Sequence, residues 1–202
     1  MLSYAYGFVH ISPGDQIRDL FKHGEAKIRE QVMPLLLTGE PMPEELLRSI
    51  VLIPMELAYN TARGVILDGV PRNLTQANIL DAFLNELDIH TSKAINLHIS
   101  NDHARKRAMQ RLICKNCLAP SGYPGCKMTC DFCETELTRR IDDVSDVMDS
   151  RWNEYYYQTE PLMQSYEDKG NLMHVNGERP IHVVFAEVIN SLRQDLIRSR
   201  FL

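Results

Sequence analysis

Five cysteines lie within one short segment, and their spacing is typical of a metal site. Cys114 and Cys117 form one CxxC pair, Cys130 and Cys133 form a second, and Cys126 lies between the pairs. Four thiolates in this pattern suit a structural zinc ion, and Cys126 is a fifth candidate ligand. Reduced or disulfide-bonded cysteines are the alternative, although paired CxxC motifs in intracellular chains more often bind metal.

Arginine is the second residue type with chemical meaning, because the chain has 15 arginines and only 7 lysines. The planar guanidinium group is preferred where phosphate or carboxylate oxygens are bound in a fixed geometry. Six arginines follow predicted strands or lie on predicted helical faces: Arg18, Arg72, Arg107, Arg111, Arg140 and Arg151. Each one alone would suit a solvated surface, but together they suit a cleft for several anionic oxygens, as phosphoryl transfer requires.

Two pairs of these arginines have helical spacing. Arg107 and Arg111 are four residues apart, which places both on one face of a predicted helix. Arg140 and Arg151 are eleven residues apart, close to three turns, so they would face the same way if both are helical. The spacing therefore predicts that the two guanidinium groups of each pair face the same way.

Short polar motifs follow the first two predicted strands. The motif SPGD at residues 12–15 opens a helix that carries Arg18, and DGVPR at 68–72 is followed by Gln76 one helical turn later. Ligands of parallel sheets bind at the carboxyl ends of the strands, so these motifs are expected to line the ligand site. Asp15 and Asp68 also suit the ordinary role of acids at a helix start.

The elements that position these residues alternate between strands and helices. Apolar, β-rich runs predict strands at 7–11, 64–67, 94–99 and 172–175. Helical periodicity covers residues 15–21, 25–37, 43–59, 73–87, 102–113, 142–157 and 181–200. This alternation predicts an α/β domain with a parallel sheet.

Composition excludes several classes of protein. The 202 residues are 44% hydrophobic and 24% charged with a net charge of −5, so one globular domain, with or without a small insertion, is expected. The acidic balance disfavours a nucleic-acid coat, and no apolar run approaches the length of a membrane span. The N-terminus has no signal-peptide pattern. We therefore expect a cytoplasmic protein that binds neither nucleic acid nor membrane.

Six motifs, read in order, resemble the adenylate kinases that have a zinc-bearing lid: YGFVHISPGDQIR, TGEPMPEELL, GVILDGVPRNLTQA, RKRAMQRLICKNC, CDFCETELTRRIDD and RWNEYYYQTEPL. The resemblance implies the nucleoside monophosphate kinase fold and reversible phosphoryl transfer between ATP and AMP to give ADP. It also implies a core formed by residues 1–111 and 139–202, an AMP-binding helical region at about 12–60, and a zinc lid at 112–138.

The resemblance also implies roles for individual residues. The AMP-binding residues would be Arg18, Gly69, Arg72, Gln76, Arg140 and Arg151. The ATP-binding residues would be Arg107 and Arg111. The residues acting directly in phosphoryl transfer would be Arg72, Arg111, Arg140 and Arg151. Asp15 and Asp68 would organise the Mg²⁺ that accompanies ATP. The lid zinc ligands would be Cys114, Cys117, Cys130 and Cys133.

One family motif is missing from the sequence. Family members begin with a strand and a glycine-rich loop that ends in GK[ST] and binds phosphate. Here only MLSYA precedes Tyr6, and the dipeptide Gly-Lys occurs nowhere. The expected fold is therefore a parallel sheet of the P-loop nucleoside monophosphate kinase type with the first strand and P-loop absent, plus a small zinc-bearing lid. Loss of that central strand would separate or re-pair the remaining four.

Three functional interpretations follow. The first is an adenylate-kinase-like phosphotransferase, which we expect to be a monomer unless a partner chain supplies the missing strand. The second is a non-catalytic relative that binds AMP but has lost the P-loop. The third is a zinc-ribbon protein that binds nucleic acid, which the net negative charge disfavours.

Overall fold

Helices and short strands alternate along the chain, as the sequence predicts. The computed structural model describes residues 2–24, 30, 32–35, 42–62, 64–89, 93–116, 120–121, 127–130, 133–139 and 152–199. The strands are β1 (Val9–Ile11), β2 (Val65–Leu67), β3 (Ala94–His98), β4 (Leu112–Cys114), β5 (Pro120–Ser121), β6 (Leu137–Arg139) and β7 (Leu172–Asn176). The α-helices are α1 (Leu2–Tyr6), α2 (Pro13–His23), α3 (Glu44–Leu47), α4 (Ile53–Thr61), α5 (Leu74–Glu86), α6 (Asn101–Gln110), α7 (Glu160–Asp168) and α8 (Ile181–Ser199).

The four predicted strands are confirmed, and they form two separate parallel pairs. Strand β1 pairs with β2, with Val9 opposite Val65, and β3 pairs with β7, with Ala94 opposite Leu172. Within the described residues no ladder joins one pair to the other. Parallel neighbours need a long crossover connection, which the intervening helices provide. The carboxyl ends of β1 and β2 are thereby brought side by side.

A cluster of apolar side chains supports the β1–β2 pair. Leu47, Val51 and Leu52 are almost fully buried, and they pack in one cluster with Ile11 of β1 and Ile17 of α2. Burial of one such side chain contributes about 1.5–3 kcal/mol. The cluster therefore gives the ends of β1 and β2 a rigid base.

Two short π-helical turns interrupt the helical regions, and each ends two residues before a proline. Turn π1 (Arg48–Leu52) precedes Pro54, and turn π2 (Tyr155–Thr159) precedes Pro161. In both turns the N–H just before the proline bonds to the carbonyl five residues earlier. Proline has no N–H, and its ring clashes with the carbonyl four residues back. Widening the helix by one residue relieves that clash, which explains why both turns stand where they do.

The structure corrects one helix boundary that matters for the site. Helix α6 ends at Gln110 rather than at residue 113, and Arg111 has an extended backbone with φ −69° and ψ 131°. The next residues form β4, which pairs with β5 and β6 in an antiparallel sheet. Cross-strand pairing therefore overrides helical propensity here. The prediction that Arg107 and Arg111 share a helical face is wrong, because Arg111 lies outside the helix.

Other boundaries differ in smaller ways. The helix predicted at 142–157 lies partly outside the described residues, and the helical region continues through π2 and α7 to Asp168. Helix α1 was not predicted from the sequence. No described helix combines the length and the apolar character needed to cross a bilayer.

Candidate nucleotide site and metal centre

The residues that follow β1 and β2 lie side by side because the two strands are parallel neighbours. The backbone N–H of Asp68 donates to the carbonyl of Ile11 at 2.9 Å. The His10 Nε2 and Asp68 Oδ2 atoms lie 3.1 Å apart. The Asp68 side chain is 63% exposed. The Asp68 carboxylate therefore lies in solvent at the edge where ligands of parallel sheets bind.

Arg18 is oriented by its own helix. Helix α2 begins at Pro13 after Ser12, and one turn later the Arg18 guanidinium pairs with the Asp15 carboxylate. The Arg18 side chain is 11% exposed, against 50% for Asp15. A Cβ placed on Gly14 would lie 3.3 Å from Arg18 Nη1, so the guanidinium lies against the Gly14 backbone. The absence of a side chain at Gly14 thus makes room for Arg18.

Arg72 is held by the turn that follows β2. Its Nε atom donates to the carbonyl of Gly69 at 2.8 Å. Gly69 has φ +74°, a conformation that residues with a Cβ rarely adopt. A Cβ there would lie 3.2 Å from Arg72 Nη2. The turn therefore holds a second guanidinium against glycine backbone, beside the end of the same strand pair.

Gln76 braces this turn from the first turn of α5. Its side chain is buried, with 5% of the residue exposed, and its Oε1 accepts from the backbone N–H of Arg72 at 2.8 Å. The Gln76 backbone N–H donates to Oδ1 of Asn73, the N-cap residue, also at 2.8 Å. The side-chain amide oxygen of Gln76 thus fixes the backbone of Arg72.

A second group of predicted residues belongs to the β3–β7 half of the fold. Arg107 is exposed on α6, and Arg111 is half-buried just before β4. The ends of β3 and β7 are joined by Glu178, whose Oε1 accepts from the Ser100 N–H at 2.8 Å and its hydroxyl at 2.6 Å. These two bonds hold the pKa of Glu178 below its usual value of 4.5, and they fix the start of α6.

The site includes residues that sequence reasoning missed. The sequence analysis did not single out His10 or Gly14. Arg18 follows Gly14 by one helical turn, and this spacing could have indicated that Gly14 makes room for an arginine side chain. Arg140 and Arg151 lie outside the described residues. The structure therefore places Asp15 and Arg18 after β1, and Asp68, Gly69, Arg72 and Gln76 after its parallel neighbour β2.

Three of the predicted cysteines converge on one point. The Sγ atoms of Cys114, Cys130 and Cys133 all lie within 4.8 Å of one another, and the Cys114–Cys133 separation is 3.4 Å. Tetrahedral zinc with bonds of about 2.3 Å would hold its sulfur ligands about 3.8 Å apart. The spacing and the all-sulfur donor set fit a metal ion. Cys117 and Cys126 lie outside the described residues.

The described residues of the small sheet that carries these cysteines provide little apolar support. Their buried cluster consists of Cys114, Cys130 and Leu137, with Leu112 and Cys133 packed against it. A core of this size is too small to hold an antiparallel sheet together without a staple. The cysteines therefore form most of the buried interior of this sheet, where a hydrophobic core would otherwise lie.

A family model for adenylate kinase matches residues 1–171. The chain belongs to the adenylate kinase family. An adenylate kinase of Acetivibrio thermocellus is 32% identical over 199 residues, which cover 95% of this chain and 89% of the relative. Adenylate kinases of a Geobacillus species and of Listeria monocytogenes serotype 4b are each 34% identical, with 91% of this chain and 86% of each relative covered.

These matches confirm the predicted family and activity. The chain is an adenylate-kinase-type phosphotransferase that acts on ATP and AMP. The parallel strand pairs and their helical crossovers are consistent with the nucleoside monophosphate kinase fold of this family. The alternative of a non-catalytic AMP-binding relative is not favoured.

Proposed function

We propose that the turns after β1 and β2 form the AMP site of this phosphotransferase, with Arg18 and Arg72 binding the AMP phosphate. The observation that carries the proposal is that each guanidinium lies against a glycine and is oriented by an oxygen partner, the Asp15 carboxylate for Arg18 and the Gly69 carbonyl for Arg72. An arginine oriented in this way can bind phosphate with little further loss of side-chain freedom. Gly69 lines the same site. We assign the side-chain amide nitrogen of Gln76 to a hydrogen bond with the adenine ring.

We assign the ATP side to Arg107 and Arg111. In this proposal Arg111, which directly precedes β4, lies at the base of the cysteine-bearing sheet that covers the nucleotides. Arg140 and Arg151, which lie outside the described residues, are assigned to the AMP phosphate and the transferring phosphate on the family resemblance. The corresponding division of the chain is a core of residues 1–111 and 139–202, an AMP region at about 12–60, and a lid at 112–138.

In the reaction an oxygen of the AMP phosphate attacks the γ-phosphorus of ATP. The bond from that phosphorus to the bridging oxygen breaks, its electron pair stays on the departing ADP, and the AMP becomes the second ADP. Arg72, Arg111, Arg140 and Arg151 neutralise the charge on the transferring group. Mg²⁺ bound with ATP supplies further charge neutralisation. The exposed carboxylates of Asp15 and Asp68 fit the oxygen ligands that Mg²⁺ prefers, directly or through water.

The metal of the lid is zinc in this proposal, held by Cys114, Cys117, Cys130 and Cys133. Support comes from the sulfur-only donor set and the spacing of the three described Sγ atoms. Four protein ligands leave no open position, so the ion would stabilise the lid and take no part in the chemistry. A lid held rigid in this way excludes water, so that phosphate passes to AMP rather than to water.

The test is ADP formation from ATP and AMP by the 202-residue chain and by Arg72→Ala. We expect the variant to raise the KM for AMP about 10- to 100-fold, because hydrogen bonds to charged groups are worth about 1.5–3 kcal/mol, while the KM for ATP changes less than about twofold. Arg179→Ala is the matched control, because this exposed arginine pairs with Glu187 at 2.9 Å. An unchanged KM for AMP would reject the site, and AMP binding without turnover would favour the non-catalytic alternative.

A further inference from the structure

The π2 turn holds the backbone of the Arg72 turn from a distant part of the chain. The hydroxyl of Thr159 donates to the carbonyl of Arg72 at 2.9 Å. The next residue back, Gln158, accepts at Oε1 from Nδ2 of Asn73 at 3.1 Å. Two consecutive side chains of π2 thus bond to two consecutive residues of the turn after β2.

Two of the hydrogen bonds of Arg72 are local, and one comes from a distant part of the chain. The Arg72 N–H donates to Gln76 and its Nε donates to Gly69, both within four residues of it. The Arg72 carbonyl accepts from Thr159, which is 87 residues away in sequence. The two local bonds shape the turn, and the Thr159 bond links the Arg72 backbone to the π2 turn.

The same π turn also contacts the other half of the molecule. The hydroxyl oxygen of Tyr156 accepts from Nδ2 of Asn101, the first residue of α6, at 2.9 Å. Helix α6 carries Arg107. The π2 turn therefore bonds both to the turn that holds Arg72 and to the helix assigned to ATP.

Pro161 accounts for the π turn that carries these side chains. Proline cannot donate within a helix, and the N–H just before Pro161 bonds to the carbonyl of Tyr155, five residues earlier. Gln158 and Thr159 both lie in this π turn, and both side chains reach the same short turn after β2.

We propose that Thr159, supported by Gln158, is a positioning residue for AMP binding that acts through Arg72. This inference rests on the proposed AMP site. Thr159 does not touch the nucleotide. It sets the position of the Arg72 backbone, and hence the direction in which the guanidinium meets the AMP phosphate.

The first measurement is AMP affinity by calorimetry in the absence of ATP. Thr159→Val keeps the side-chain shape and removes the hydroxyl, so we expect the Kd for AMP to rise about three- to tenfold, the loss expected for one hydrogen bond. Thr159→Ser keeps the hydroxyl and should stay within about twofold of the parent chain. The matched control is Thr61→Val, which removes a hydroxyl bonded to the Leu57 carbonyl at 2.9 Å within one helix. The control should bind AMP normally.

A double-mutant cycle separates positioning from general destabilisation. In the Arg72→Ala background the backbone carbonyl at position 72 remains, so loss of its bond to Thr159 in Thr159→Val should still lower the Tm. The guanidinium is absent, so Thr159→Val should change AMP affinity less than about twofold. If Thr159→Val fails to fold, Gln158→Leu removes the neighbouring bond and carries the same expectation. A folded Thr159→Val variant with normal AMP affinity, or equal losses in Thr159→Val and Thr61→Val, would overturn the inference. If Arg72→Ala itself leaves AMP affinity unchanged, the proposed AMP site fails instead.

Discussion

An alanine substitution at Gly69 would have two effects, backbone strain and displacement of the Arg72 guanidinium. Comparison with the same substitution at Gly170 separates them. Both glycines have positive φ, +74° and +67° respectively. A Cβ on Gly69 would lie 3.2 Å from Arg72 Nη2, whereas a Cβ on Gly170 would meet nothing within 4 Å. Gly69→Ala and Gly170→Ala therefore impose the same kind of backbone strain, and only the first displaces a guanidinium.

The strain itself should cost both variants a similar amount of stability. A left-handed conformation costs a non-glycine residue about 1–2 kcal/mol. The smaller conformational freedom of the unfolded alanine variant offsets about 0.4–1 kcal/mol of that cost. The net loss is about 1 kcal/mol in the free energy of unfolding, which lowers the Tm of a chain of this size by about 2–4 °C.

AMP affinity should distinguish the two variants. In Gly69→Ala the guanidinium must move by a few tenths of an ångström, because 3.2 Å is tighter than an ordinary contact. We expect about tenfold weaker AMP binding, or about 1.4 kcal/mol, from the partial loss of a charge-assisted bond. Calorimetry with AMP and thermal unfolding measure the two effects. Equal AMP affinity in both variants, at whatever level, would refute the assigned contact.

Two further predictions concern the metal centre and acid stability. Cys130→Ser should release bound zinc and lower the Tm while changing AMP affinity less than about twofold, because the buried cluster of the cysteines is distinct from the cluster that supports β1 and β2. Metal analysis and calorimetry measure these effects, and equal losses of zinc and AMP affinity would contradict the prediction. The depressed pKa of Glu178 stabilises the fold above the ordinary value of 4.5, and this contribution disappears as pH falls through the folded-state pKa. Glu178→Gln should therefore unfold at a lower temperature than the parent chain at pH 7, and the difference between the two melting temperatures should shrink as the pH falls below 4.5. A difference that stays constant with pH would exclude the assigned bonds.

The strands and most helices were predictable because their signals are local. Apolar runs place β1, β2, β3 and β7 within about two residues of their observed bounds. The end of α6 was not predictable in the same way. Arg111 is a good helix former, and the chain leaves the helix there because β4 pairs with β5 and β6, the second of which lies more than twenty positions away.

The residue types of the site were readable from the sequence, but their contacts were not. Motif resemblance indicated Arg18 and Arg72, yet the contacts of their guanidinium groups with glycine backbone depend on three-dimensional packing. The role we infer for Thr159 had even less local signal, because its partner lies 87 residues away. The proline two residues after it is the local signal from which an irregular helix could have been predicted there.

The separation of the strands into two pairs has a consequence for the behaviour of the protein in solution. Two two-stranded sheets have four edges, where a single four-stranded sheet would have two. In a parallel ladder every second residue of a strand directs its N–H and C=O groups away from the paired strand. Within the described part of the chain, Leu67 of β2 and Leu97 of β3 are such residues. Leu97 is also 53% exposed. Such edges favour strand pairing between molecules, so crowding should promote self-association and aggregation.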